Sequence, residues 1–268
     1  MLLAAALGAL VGFVLALTGA GGAIIAVPLL VFGFDLDLAQ AAPIALLAVA
    51  ASAALGALLG LRAGIVRYRA AILMSVVGSL LTPLGVLLAH RLPEHWLSLV
   101  FALVLIFVAQ RMFLQARGEL RGVPPITTRP GTAACKLNQD SGRFQWTAPC
   151  ARALAQAGAA TGLLSGLLGV GGGFVIVPAL RRSSDLPMNS IVATSLLVVA
   201  IVSSSAVLSA VAAGRLETAV AAPFAAGAAL AMLTGRLVAG RIAGPRLQQG
   251  FSVAAGLVAI LMIGSLVV

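Results

Sequence analysis

A glycine-rich string ending in proline occurs twice in this chain, 150 positions apart. Gly19-Ala20-Gly21-Gly22-Ala23-Ile24-Ile25-Ala26-Val27-Pro28 returns as Gly169-Val170-Gly171-Gly172-Gly173-Phe174-Val175-Ile176-Val177-Pro178. With that fixed offset and no gaps, glycines pair at 8/158, 12/162, 19/169, 21/171, 22/172, 64/214 and 85/235. Chance alone gives about one or two such pairs, so the chain is an internal duplication. Pro28/Pro178, Asp35/Asp185, Leu46/Leu196, Arg91/Arg241 and Phe101/Phe251 keep the same register. The repeated element is a helix breaker inside an apolar run. In a bilayer such a break is tolerated only where protein buries it or where it lines a cavity.

The bilayer follows from composition. Apolar residues make up 61% of the chain and charged residues 9%, with a mean hydropathy of +1.14. A soluble domain carries about 25% charged residues. Apolar runs of bilayer-spanning length recur from end to end. The net charge of +10 therefore reads as orientation signals in short loops rather than as a nucleic-acid surface. The first residues belong to the repeat and lack a basic n-region, so they are expected to be part of the mature fold.

The expected fold is an all-α polytopic membrane protein of two homologous four-segment repeats. Unit one spans 1–115, a polar connector 116–151, and unit two 152–268. Each unit has one long broken segment followed by three ordinary ones, about 2–34, 38–61, 69–90 and 95–115, then 153–180, 188–213, 217–239 and 246–267. As one helix, 2–34 would reach roughly 50 Å against about 30 Å of hydrocarbon. It is either one tilted, broken span or a pair of half-helices that enters and returns. If both broken segments return, fifteen of the seventeen Lys and Arg residues fall on one face and only Arg91 and Arg215 on the other. That sorting obeys the positive-inside rule best. It leaves three full crossings per unit, an odd number, so the units would be inverted. The connector and most arginines are then expected inside, and Asp35, Asp37 and the termini outside.

These residues resemble the sulfite exporter TauE/SafE family of bacterial membrane proteins. The resemblance rests on the doubled glycine motif ending in proline, on Ala193-Thr194-Ser195-Leu196, and on Gly64 and Gly214 after the next segment. It covers nearly the whole chain apart from the connector. It implies a multi-pass protein of the bacterial inner membrane that moves small sulfur-containing or organic anions such as sulfite and sulfonates. Unit one departs from the pattern, with Ala23 opposite Gly173 and Pro43-Ile44-Ala45 opposite Ala193-Thr194-Ser195.

A half-helix opening at Gly21–Ala23 or Gly171–Gly173 presents unpaired N–H groups and the positive end of its dipole, which bind anions. The candidate substrate-binding set is Thr18, Gly19, Gly21, Gly22, Ser165, Gly169, Gly171, Gly172, Gly173, Thr194 and Ser195. No lysine or arginine is expected at membrane depth. The alternative for these glycines is close helix packing, and packing is the better reading for Gly56/Gly60/Gly64 and Gly158/Gly162/Gly166. Ser203-Ser204-Ser205 either lines a polar path or bonds back within its own helix. Asp35 and Asp185 read as N-caps of the segments that follow, and Thr82-Pro83 as a kink. His90, His95 and Trp96 read as interfacial residues. Cys135 and Cys150 match no metal or haem spacing and read as incidental.

Neither a cofactor nor a metal is expected. The seven acidic residues and two histidines lie mostly in loops, which argues against an enzyme. The expected partners are a small anion and the lipid bilayer, not nucleic acid. A passive anion channel or a membrane-embedded accessory protein remains the alternative to a transporter.

Overall fold

The computed structural model describes residues 1–18, 22–120, 135, 146–214, 218–242 and 245–267. Ten helices fill the described residues: α1 (Leu2–Thr18), α2 (Gly22–Phe34), α3 (Leu38–Arg62), α4 (Tyr68–Arg91), α5 (Glu94–Leu120), α6 (Ala148–Leu168), α7 (Gly173–Ser183), α8 (Met188–Ala212), α9 (Thr218–Ile242) and α10 (Pro245–Val267). Five, α3, α4, α5, α8 and α9, contain stretches long and apolar enough to cross a membrane. Helix α5 runs to Leu120 and α6 begins at Ala148, so both helices extend into the expected connector.

Each long broken segment is a helical hairpin. In the first, Gly22 at the start of α2 lies against Val11 and Leu15 of α1. Gly33, at the other end of α2, meets Leu7. The two helices therefore run antiparallel, and the chain leaves near where it entered. In the second, Gly172 lies against Thr161 of α6. The end of α7 is tied to the start of α6 through Cys135. Its N–H donates to the Ser183 carbonyl at 2.8 Å, and its sulfur is bonded to Cys150. Of the two shapes the length of 2–34 allowed, the chain takes the pair of half-helices in both units.

The cysteines are not incidental. Cys135 and Cys150 form a disulfide with Cα atoms 4.8 Å apart, and both residues are fully buried. Two cysteines carry too little spacing information to reveal such a pair, because their proximity depends on α7 folding back along α6. The aspartate caps are also corrected. The residue before α3 is Asp37, with no side-chain cap bond, and the residue before α8 is Pro187. Asp35 instead holds the turn after α2, at φ 51°.

Packing runs between the units. Helix α1 packs on α9 and α6 on α4; α3 packs on α9 and α8 on α4; α3 packs on α8 and α5 on α10. Each contact recurs with the units exchanged. Helices α3 and α8 form the centre, with 61% and 67% of their apolar windows buried against 33% for α4, α5 and α9. They cross antiparallel, with Gly56 beside Leu196 and Gly60 beside Ala193. Helix α1 runs parallel to α9, with Gly8 on the Phe224 carbonyl and Gly12 on that of Ala228. Helix α6 repeats this on α4, with Gly158 at Met74 and Gly162 at Gly78. At these crossings the missing side chain lets one backbone sit on another.

Candidate functional site

The second break is made by three left-handed residues. Gly169 (φ 72°), Gly171 (φ 69°) and Gly172 (φ 63°) end α6 and start α7. Any other L-residue there carries a strain of about 1–2 kcal/mol. Space forbids one as well. A Cβ on Gly169 would strike Ala42 of α3. One on Gly171 would lie 2.9 Å from Val49 Cγ1 and 3.0 Å from Ser203 Oγ. The turn thus reaches the seam between the two central helices. There α7 begins, and the first N–H groups of a helix have no acceptor inside it.

Buried hydroxyls gather round this turn. Thr161 and Ser165 lie one helical turn apart on α6, and Thr161 touches Gly172. Ser203 of α8 faces Gly171. Ser52 lies on α3, three residues beyond the Val49 that touches the same glycine. All four residues are at most 1% exposed, and none of the four hydroxyl oxygens has a hydrogen-bond partner. Ser75 and Ser79 of α4, the helix that packs on both α6 and α8, are likewise unpartnered. A hydroxyl in a helix ordinarily bonds back to its own backbone, and an unsatisfied buried polar group costs about 1–3 kcal/mol. Hydroxyls of this kind beside the first N–H groups of a helix are the donors that an oxygen-bearing guest would use.

The expected site residues divide. Ser165, Gly169, Gly171, Gly172 and Gly173 come together here. Gly22 occupies the matching corner of the first hairpin, 2.5 Å in virtual Cβ distance from the Leu15 nitrogen. Gly19 and Gly21 lie outside the described residues. Thr18 donates to the Val14 carbonyl at 2.8 Å. Thr194 and Ser195 are placed elsewhere. Thr194 lies nine residues before Ser203, about 13 Å along α8, and its hydroxyl accepts from the Arg67 N–H at 3.0 Å. The Ser195 hydroxyl donates to the Val192 carbonyl at 2.8 Å.

Thr161, Ser52, Ser75 and Ser79 escaped the sequence reading. Thr161 was within reach, because it stands four residues before Ser165 and so shares its face. The serine triplet splits: Ser204 and Ser205 donate to the carbonyls of Ala200 and Val202, while Ser203 Oγ does not bond back. Arg236 corrects the expectation of no deep cation. It lies inside α9, and its Nη2 donates to the Gly56 carbonyl of α3 at 3.1 Å. Among the described residues no cluster of His, Cys, Asp and Glu could hold a metal ion.

Apolar helices of bilayer length, enclosing broken backbone and hydroxyls between them, define a multi-pass membrane transporter. The chain belongs to the sulfite exporter TauE/SafE family, which it matches over residues 4–262. Two relatives from Xylella fastidiosa, each named a probable membrane transporter protein, agree. The one from strain 9a5c is 35% identical over 194 residues, covering 72% of this chain and 67% of that protein. The one from strain Temecula1 is 33% identical over the same lengths. No solved structure gives a significant match.

Proposed function

We propose that this protein is a carrier of a small oxyanion, of the sulfite or sulfonate class, across the bacterial inner membrane. The observation that carries the reading is the set of unpartnered buried hydroxyls at the N-terminal end of α7. Hydroxyl donors and helix N–H groups hold a desolvated anion without a cation beside it. That suits a site which must release its cargo. The family is named for sulfite export, which supports the substrate class.

The two units, 1–115 and 152–268, are inverted copies in this reading. Supporting this, their equivalent helices α3 and α8 cross antiparallel, and each hairpin returns to the end it came from. The connector lies in the cytoplasm by the arginine count. Its disulfide points the other way, since disulfides persist in oxidising compartments. The count of fifteen against two outweighs one cysteine pair. In a cysteine-free background, Asp35→Cys should react with an impermeant maleimide added outside, and a cysteine in the connector should not. Labelling of both from one side would sink the inverted arrangement. Outward movement of an anion needs no coupling group, because the inside-negative potential drives it.

A thermal-shift panel of sulfite, thiosulfate, sulfoacetate, taurine, acetate and phosphate tests the site. Saturable stabilisation by one of the anions, absent in Gly172→Leu, is expected. Equal shifts in both proteins, or none in either, would leave the break as a packing device. Flux that saturates and shows counterflow separates a carrier from a channel.

A further inference from the structure

Arg236 is a half-buried charge among apolar helices. It closes the apolar window of α9, Thr218–Arg236, six residues before the helix ends at Ile242. That places it about 9 Å from the helix end. A Cβ on Gly56 would lie 2.9 Å from Leu196 Cδ1 and 3.8 Å from Arg236 Nη2. The guanidinium therefore sits on the seam of α3, α8 and α9. Its Nη2–H is given to the Gly56 carbonyl, an oxygen that belongs to the α3 helix ladder. Its Nε is buried and has no partner. None of α3, α8 and α9 contains an acidic residue. An arginine that merely snorkels turns its head to the interface. This one spends a donor on a neighbouring helix and buries another.

Its position relative to the hydroxyl cluster is fixed by α8. Leu196, beside the guanidinium's seam, precedes Ser203 by seven residues, about 10 Å along the helix. The direction is toward the start of α8, which follows the α7 end that is clipped to the connector. Counting back 150 positions, Arg236 corresponds to Val86 and Gly56 corresponds forward to Ala206. Ala206 packs with Leu46 and Val207 in an apolar cluster. At the positions equivalent to Arg236 and Gly56 the other end thus has Val86 and Ala206, and no cation.

We infer that Arg236 is an anion-holding residue on the path between the hydroxyl site and the connector-bearing end. An uncompensated guanidinium at this depth is costly and marks an ion pathway. Its unspent Nε–H supplies a charge-assisted hydrogen bond to an oxyanion. The anion is held there at one end of the molecule and not at the other. This rests on the carrier reading above and adds a polarity to it.

The test is sulfite flux in proteoliposomes of known orientation, for wild type, Arg236→Met and Arg236→Lys. Size-exclusion profiles check that each is folded. In Arg236→Met the KM for sulfite presented at the connector-bearing end should rise about tenfold, a loss of about 1.4 kcal/mol. KM from the opposite end should stay within about twofold, and Arg236→Lys should recover most of the loss. Unchanged KM at both ends, or an equal rise at both, overturns the inference. So does failure of both variants to fold, which would assign the residue to packing. A wild-type protein that neither moves sulfite nor is stabilised by it overturns the carrier reading and this inference together.

Discussion

The two hairpins share a backbone plan but differ in what surrounds their breaks. Around the second stand Thr161, Ser165 and Ser203, with the unpartnered Ser75 and Ser79 on α4, the helix that packs on α6 and α8. At the same places around the first, 150 positions away, stand Val11, Leu15, Ala53, Ala225 and Ala229. Ser52 of α3, whose counterpart is Val202, joins them; like Ser75 and Ser79 it comes from unit one, and α3 meets the second break through Ala42 and Val49. The packing glycines, by contrast, match on both sides, since Gly8 and Gly158 each rest on the backbone of equivalent residues, Phe224 and Met74. Duplication has kept what the fold requires in both copies. It has kept the hydroxyl chemistry in one.

That contrast can be broken at its strongest point, the shared packing. Gly12→Leu and Gly162→Leu should be equally damaging, because each side chain would be driven into a carbonyl of the facing helix, Ala228 or Gly78. Overpacking of this kind costs about 1–3 kcal/mol, and more against backbone. The thermal midpoints should fall together; a fall in one alone would mean that the halves are not mechanically equivalent. Next comes the clip present on the second hairpin only. Cys135 and Cys150 are 15 residues apart, and a closed loop of that length stabilises by about 3 kcal/mol. Cys135→Ser with Cys150→Ser, or a reducing agent on the wild type, should lower the midpoint by the same amount. A reductant without effect would show the bond to be unimportant for stability.

The hydroxyls give a smaller and more specific effect. Ser203→Ala and Thr161→Val should each weaken anion binding about tenfold, or about 1.4 kcal/mol. The reciprocal changes Ala53→Ser and Val11→Thr should leave it within about twofold. Titration of the anion that stabilises the wild type separates these outcomes, and equal losses on the two sides would refute the one-sided site. Smallest of all is Thr18→Val. The Thr18 hydroxyl is already bonded to the Val14 carbonyl, so its removal should change affinity by less than twofold in the same titration.

The duplication, the hairpins and the glycine break were legible because each depends on pattern at fixed spacing. Glycine at four-residue intervals reports helix contact; segment length against bilayer thickness leaves two shapes open, and the arginine count favours the return. What the sequence hid depends on which neighbours the fold supplies. Thr194 looked like a ligand by its motif, yet the N–H of Arg67, 127 positions away, occupies it. Ser203 looked like its neighbours Ser204 and Ser205, and only the approach of Gly171 sets it apart. Arg236 lies near the end of the expected segment 217–239 and counts with Arg241 and Arg246 among the charges of one face. It is the carbonyl of Gly56, 180 positions away, that fixes it inside the bundle.

The exchange of partners between units bears on how such a protein arose. The glycine face of α1 is filled by α9, the fourth unit-one helix's counterpart, and that of α6 by α4. A single unit folding by itself would hold both halves of this joint without being able to close it. The seam between the units is thus the kind of joint that two copies of one unit would form, and the connector holds both copies in one polypeptide.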